Sequence, residues 1–194
     1  MSQPSDEALL HAYRGGDRGA FEALLDRYRR PVFNFVLRFV NERAPAEELY
    51  QEVWIKVVER CDDFRGDAKF STWLYAIARN LCVDHQRKMR FRAHASLDAP
   101  RPGRGPSATE RLVNPGPSTE QLAIARRTRD RIAWAVEALP QDQREVFLLR
   151  QLQGLPFHEI AEIVGIPTNT VKSRMRYALE RLRHALGDLR EHEL

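Results

Sequence analysis

The chain has 194 residues, enough for one large domain or two small ones, and an apolar share of 43% that suffices to bury a core. The formal charge of +4 is small because 27 acids offset 31 bases, so the sum permits a nucleic-acid partner without proving one, and the distribution of charge carries more information. The two cysteines, Cys61 and Cys82, form no CxxC pair and no zinc spacing; this argues against a disulfide framework or zinc site and makes both small apolar side chains.

Ser5-Asp6-Glu7 opens an amphipathic segment with Ala8, Leu9, Ala12 and Tyr13, and Gly15-Gly16-Asp17 breaks it. Ala20 to Val40 is a long helical segment whose core stripe is Phe21, Leu24, Leu25, Tyr28, Val32, Phe35, Val36 and Phe39. Pro31 should kink it or divide it in two. Pro45 suits the first turn of the next helix, Ala46 to Cys61. Its apolar positions are Leu49, Val53, Ile55, Val57 and Val58, and Glu47, Glu48, Gln51, Glu52 and Lys56 lie on polar faces.

A polar loop from Asp62 to Lys69 leads to a helix that Ser71 or Thr72 can cap. Trp73, Leu74, Ile77, Leu81 and Val83 are its candidates for burial. Its end is basic, with Arg79, Arg87, Lys88, Arg90 and Arg92 against Asp84. Bases near a helix C-terminus also complement the macrodipole. Interleaved with aromatics, they compose a surface that tracks a phosphate backbone and stacks on unpaired bases.

Residues 93–119 are rich in Pro and Gly and poor in large apolar side chains, which is the composition of a flexible linker. A second helical unit follows, over 120–194, with breaks at Leu139-Pro140 and Gly154. It closes on Leu155 to Leu186, two helices separated by Gly165-Ile166-Pro167. The second of these carries Val171, Met175, Ala178, Leu179, Leu182 and Leu186 as one stripe. Its polar front, Thr168, Asn169, Thr170, Lys172, Ser173, Arg174 and Arg176, has no carboxylate before Glu180. These are side chains that bond phosphates and base edges, so the pair reads as a helix-turn-helix facing DNA rather than a solvated hairpin. No alternating pattern is sustained anywhere, and the expected fold is all-α: two small helical domains, 1–92 and 120–194, joined by the linker.

Four stretches in this order resemble the extracytoplasmic-function (ECF) group of bacterial sigma factors over nearly the whole chain. AFEALLDRYRRPVFNFVLRFV is similar to region 2.1, ERAPAEELYQEVWIKVVE to region 2.2, and FRGDAKFSTWLYAIARNLCVDHQRK to regions 2.3 and 2.4. The stretch from Ala138 to Arg183 is similar to region 4. The sequence departs from the family in having Pro45 where an Asp begins region 2.2, Glu48 for a later Asp, and Asn169 where Gly is usual.

The resemblance implies three surfaces. Glu48, Gln51, Glu52, Trp54 and Lys56 match positions that dock on a coiled-coil clamp of core RNA polymerase, where a ring supplies buried area and acids steer toward a basic partner. Thr168, Asn169, Thr170, Lys172, Ser173, Arg174 and Arg176 match the helix start that reads the upstream promoter element; Lys172 and Arg176 are favoured for phosphate or guanine contacts. A flipped base of the downstream element is held between the loop from Phe64 through Lys69 to Ser71 and the basic helix. Phe64, Phe70, Trp73 and Tyr75 are candidates to stack on it or wall it, Asn80 to bond its edge, and Arg79, Arg87 and Lys88 to follow the backbone.

The partners implied are core RNA polymerase, promoter DNA and a separate anti-sigma factor. The competing reading is a stand-alone helix-turn-helix regulator that binds an operator without polymerase. No Gly-rich phosphate loop, metal-ligand cluster or nucleophile–base pair is evident, so we expect neither an enzyme nor a cofactor. The start holds no apolar run of signal-peptide length and no stretch approaches a membrane span, so the expectation is a cytoplasmic protein without membrane insertion.

Overall fold

The computed structural model describes residues 3–95 and 119–187, with side chains over 3–92 and 126–187. Within these residues the architecture is entirely helical, as the absence of alternation predicts: α1 Asp6–Arg14, α2 Arg18–Val40, α3 Arg43–Glu59, α4 Phe70–Ala95, α5 Thr119–Glu137, α6 Gln141–Gln151, α7 Phe157–Val164 and α8 Thr168–Leu186. A short 3-10 turn, Cys61–Asp63, follows α3. Most of the linker expected over 93–119 lies outside the described residues.

The helix ends follow local chemistry. The Ser5 hydroxyl accepts the Ala8 N–H at 3.2 Å and starts α1. Asp17 starts α2 by accepting the Gly19 and Ala20 N–H groups at 2.9 and 3.3 Å. Helix α2 then runs through Pro31 undivided. The ring removes one helical donor, but burial of Leu24 before it and of Val32, Phe35, Val36 and Phe39 after it holds both halves on one core. Asn41, at φ 59°, ends α2 in the left-handed region with its N–H on the Leu37 carbonyl. Helix α3 begins at Arg43, ahead of the expected Ala46, because Pro45 fits within the first turn, where an N–H has no helical partner.

The expected cap of α4 is corrected. Ser71 and Thr72 both lie inside the helix, which starts at Phe70. The Phe70 N–H is accepted at 3.0 Å by the Glu7 carboxylate, from α1. That bond holds Glu7 below the ordinary glutamate range, against the opposing effect of its partial burial. Local sequence cannot reveal a cap supplied from 63 residues away.

In the first unit the fully buried side chains include Leu10, Leu24, Phe35, Phe39, Phe70 and Leu74. The Phe35 ring meets Phe39 at 5.7 Å and Tyr75 at 5.6 Å. Arg27 and the Tyr28 hydroxyl both donate to Asp6, tying α1 to α2. In the second unit Val146, Leu148, Leu149, Ile160, Val171 and Ala178 are buried. The helix-turn-helix has the expected turn: Gly165 takes φ 75°, and its N–H and that of Ile166 both reach the Ala161 carbonyl. The buried side chains of both units form one contiguous cluster, with α7 packed on α4 and α6 on α2. Cys82 is fully buried, and burial pushes its thiol well up from the usual cysteine range; Cys61 is half-buried.

Candidate nucleic-acid and partner interface

Helix α3 spends one face on the core and leaves the other open. Ala46, Leu49, Val53, Trp54 and Val57 are buried. Glu48, Gln51 and Glu52 are exposed, and so are Ile55 and Val58, at 55% and 41%. Residues 48, 51, 52, 55, 58 and 59 recur at helical spacing and form a continuous stripe in which Glu48, Gln51, Glu52 and Glu59 surround two apolar side chains.

This revises the sequence reading in two ways. Ile55 and Val58 are not core residues. Trp54 does not project outward: it is 7% exposed, and its ring meets Phe21 edge-on at 5.9 Å and Tyr50 at 6.3 Å. Its large apolar area is spent inside the fold. Lys56, on the margin of the stripe, pairs with Glu59 at 2.8 Å.

The loop before α4 is held from α1. Arg14 donates to the Asp62 carboxylate at 3.1 Å, the Phe64 carbonyl at 3.2 Å and the Asp62 carbonyl at 3.3 Å. The sequence reading missed this residue, and a lone Arg beside a Gly-Gly break gives no local sign of such reach. Beneath the loop, Trp73 lies 5.4 Å from Phe64 and 6.0 Å from Phe70. Phe64, Phe70 and Tyr75 are buried, which makes them floor and support rather than free stacking surfaces. Trp73 and Ser71 are only half-buried; Lys69 and Asn80 are exposed. Arg79 donates to the Asn80 side-chain oxygen at 3.2 Å. Arg87 and Lys88 are exposed farther along α4.

On α8, Val171, Met175, Ala178 and Leu182 face the core as the stripe predicts, whereas Leu179 is 43% exposed. Asn169, Thr170, Lys172, Ser173 and Arg176 face outward, with Thr168 half-buried at the start. The Ser173 hydroxyl bonds the Asn169 carbonyl at 3.0 Å, which leaves that side chain oriented along the helix. Lys172 and Arg176 share one face, and the Arg176 guanidinium lies 5.0 Å from the Tyr177 ring centre.

Arg174 behaves differently from its neighbours. It turns inward to Glu145, 3.3 Å away, and Asp142, 3.4 Å away. Glu145 also receives Arg79 at 3.0 Å. Burial pushes the Glu145 carboxyl above the ordinary range, and the two arginines pull it back.

An acidic-apolar helix face, an aromatic loop above a basic helix and a basic helix-turn-helix are thus the candidate surfaces of a DNA-directed protein with a protein partner. Residues 24–92 match the family model of sigma-70 region 2 and residues 129–182 that of sigma-70 region 4. The chain is 34% identical over 182 residues to the ECF RNA polymerase sigma-E factor of Escherichia coli, covering 92% of each. It is 29% identical to the RNA polymerase sigma-H factor of Pseudomonas aeruginosa, covering 97% of each.

The fold is similar to that of CnrH in complex with the cytosolic domain of CnrY, with a TM-score of 0.68, 21% identity, and 95% of this chain and 99% of that one covered. It is also similar to the sigma factor RpoE solved with the anti-sigma factor NepR from Bartonella quintana, with a TM-score of 0.64, 23% identity, and 86% and 96% covered. The chain belongs to the sigma-70 family of RNA polymerase sigma factors, within its ECF group.

Proposed function

We propose that this chain is the non-catalytic specificity subunit that brings core RNA polymerase to a two-element promoter and assists its opening. The observation that carries the reading is the pairing, on one chain, of the open acidic-apolar face of α3 with the outward cations Lys172 and Arg176 of α8. The first surface suits a protein partner with a basic rim: Ile55 and Val58 offer area to bury, and Glu48, Glu52 and Gln51 surround them. The second suits duplex DNA, where Arg176 and Lys172 meet phosphate or guanine and Asn169 and Thr170 stand beside them.

The downstream element is assigned to the half-buried Trp73 and the exposed Asn80, with Lys69, Ser71, Arg87 and Lys88 along the strand's path. Phe64, Phe70 and Tyr75 support that surface from below. Polymerase supplies the chemistry, so the chain needs no cofactor of its own, and it acts in the cytoplasm. Among the described residues no helix is long and apolar enough to cross a membrane. An anti-sigma protein is the expected regulator; the structure of the sigma factor RpoE with the anti-sigma factor NepR supports this.

Run-off transcription tests the reading. The purified chain plus core polymerase should start transcripts at defined genomic promoters, and neither component alone should do so. Failure with every cognate promoter and core tried refutes it. Tight operator binding by the free chain, without polymerase, would instead establish a stand-alone regulator.

A further inference from the structure

Helix α1 grips both ends of the loop that leads into α4. At the entry, the Arg14 guanidinium donates to the Asp62 carboxylate at 3.1 Å, the Phe64 carbonyl at 3.2 Å and the Asp62 carbonyl at 3.3 Å. At the exit, the Glu7 carboxylate accepts the Phe70 N–H at 3.0 Å. Glu7 and Arg14 stand about two turns apart, so both project from one face of α1. Leu10, between them, is 1% exposed and seats that face on the core. Asp6, bonded by Arg27 and Tyr28, fastens α1 to α2. Between the two anchors, Arg65, Gly66, Asp67 and Lys69 are exposed, and Gly66 takes φ 79° with open space around it.

The Arg14–Asp62 ion pair alone is a weak anchor, because the Asp62 side chain is 84% exposed and water screens it. The other two bonds give the contact its meaning. Each goes to a backbone carbonyl, and the three acceptors meet the three separate nitrogens of one planar fork. A lysine ammonium, a point charge on a flexible stem, does not reproduce that arrangement. The contact therefore fixes the path of the chain rather than simply neutralising a charge. Holding the Phe64 carbonyl also fixes where its ring meets Trp73, at 5.4 Å, and Phe70, at 6.3 Å. Glu7 fixes the start of α4, on which Ser71 and Trp73 stand.

We infer that Arg14 and Glu7 are positioning residues for the downstream promoter element: α1 is a splint that holds residues 62–70 in shape before single-stranded DNA arrives. The inference rests on the sigma-factor reading for the identity of the DNA; the splint itself is a property of the free chain. Neither residue touches the strand. A loop ordered in advance loses little freedom on binding, so a base that fits the surface is bound more tightly. A base that does not fit is held through phosphate contacts alone, which the splint does not alter. Arg14 acts on discrimination between bases more than on overall DNA affinity.

The test uses holoenzyme assembled from the full-length chain and core polymerase, with Arg14→Ala, Arg14→Lys and Asp62→Ala. The probe is a single-stranded non-template oligonucleotide spanning the downstream element of the strongest promoter found by run-off transcription, together with versions changed at each base of that element. Amide hydrogen exchange of the free chain reads the splint directly. Both Arg14 variants should exchange faster across 62–70 and as wild type elsewhere. Their affinity for the matched oligonucleotide should fall about ten-fold, and their affinity for the mismatched ones should not change. Asp62→Ala removes a negative charge near the strand, so direct electrostatics predicts tighter binding, whereas the splint predicts a smaller loss of the same kind as in Arg14→Ala.

Unchanged exchange in Arg14→Ala overturns the splint. Faster exchange with unchanged discrimination overturns the positioning role. Equal weakening toward matched and mismatched strands shows Arg14 meeting phosphate itself and overturns that role too, as does wild-type discrimination in Arg14→Lys. Tighter binding by Asp62→Ala, with discrimination retained, has the same consequence. Should Arg14→Ala prove unfolded by circular dichroism, Asp62→Ala, which removes no core side chain, decides by the same two readouts. A wild-type holoenzyme that distinguishes no base counts against the functional reading and removes the positioning role with it, while exchange in the free chain still judges the splint.

Discussion

Trp54 and Ile55 are sequence neighbours with opposite assignments, and truncating each to alanine separates fold from docking. Trp54 is 7% exposed and packed edge-on against Phe21. Its loss removes a large buried ring and leaves a cavity, a cost of about 3–5 kcal/mol. For a chain of this size that lowers the melting temperature by roughly 10 °C. Ile55 is 55% exposed, so its truncation in the free chain should change stability by less than about 0.5 kcal/mol.

If polymerase covers Ile55, burial of the remaining half of its side chain contributes about 1 kcal/mol. Losing that amount weakens binding about five-fold. Thermal melting by circular dichroism measures the first effect, and fluorescence anisotropy of labelled chain titrated with core polymerase measures the second. Ile55→Ala should melt as wild type and bind about five-fold more weakly. Trp54→Ala should melt early, and at a temperature where it stays folded its affinity should change less than its stability. Unchanged polymerase affinity for Ile55→Ala, or wild-type melting for Trp54→Ala, would refute the division of α3 into a packed face and a docking face.

Other outcomes follow from the same geometry. Charge reversal of Glu48 and Glu52 together should weaken polymerase binding at least ten-fold at low salt, with a smaller effect as salt rises, in the same anisotropy assay. Lys172→Ala should weaken holoenzyme binding to upstream-element DNA across sequences and reduce the salt slope by about one if Lys172 contacts phosphate, whereas Arg176→Ala should relax preference at one position if it reads guanine.

Glu7→Gln should cost about 1 kcal/mol at neutral pH by weakening the cap of α4. Because the folded state lowers the Glu7 pKa, its contribution is present above the ordinary value of about 4.5 and is lost as pH falls through the lower folded value. The wild-type and Glu7→Gln melting curves should therefore converge as the solution is acidified. A constant difference would show that Glu7 acts by packing alone.

Much of this protein was legible along the chain, because the relevant signals are local and periodic. Apolar spacings of three and four identified helices wherever a helix has one buried face. Gly165-Ile166-Pro167 marked the turn of the helix-turn-helix through backbone preferences that need no neighbour. The outward character of Lys172 and Arg176 followed from the opposite stripe on the same helix.

What lay beyond reach was decided between helices. Whether a ring at position 54 faces a partner or the core depends on where Phe21 and Tyr50 are brought, and the same choice turned Ile55 and Val58 outward. The cap of α4 comes from Glu7 because α1 packs beside it, while the hydroxyl of Thr72 is drawn to Glu159. Arg174 looked on its own helix like one more DNA-facing cation. Only the packing of α6 beneath α8 and against the first unit placed Glu145 between it and Arg79. A residue's periodicity determines which face of its helix it occupies; the desolvation of that face, and the charges that meet there, are fixed only when distant segments pack.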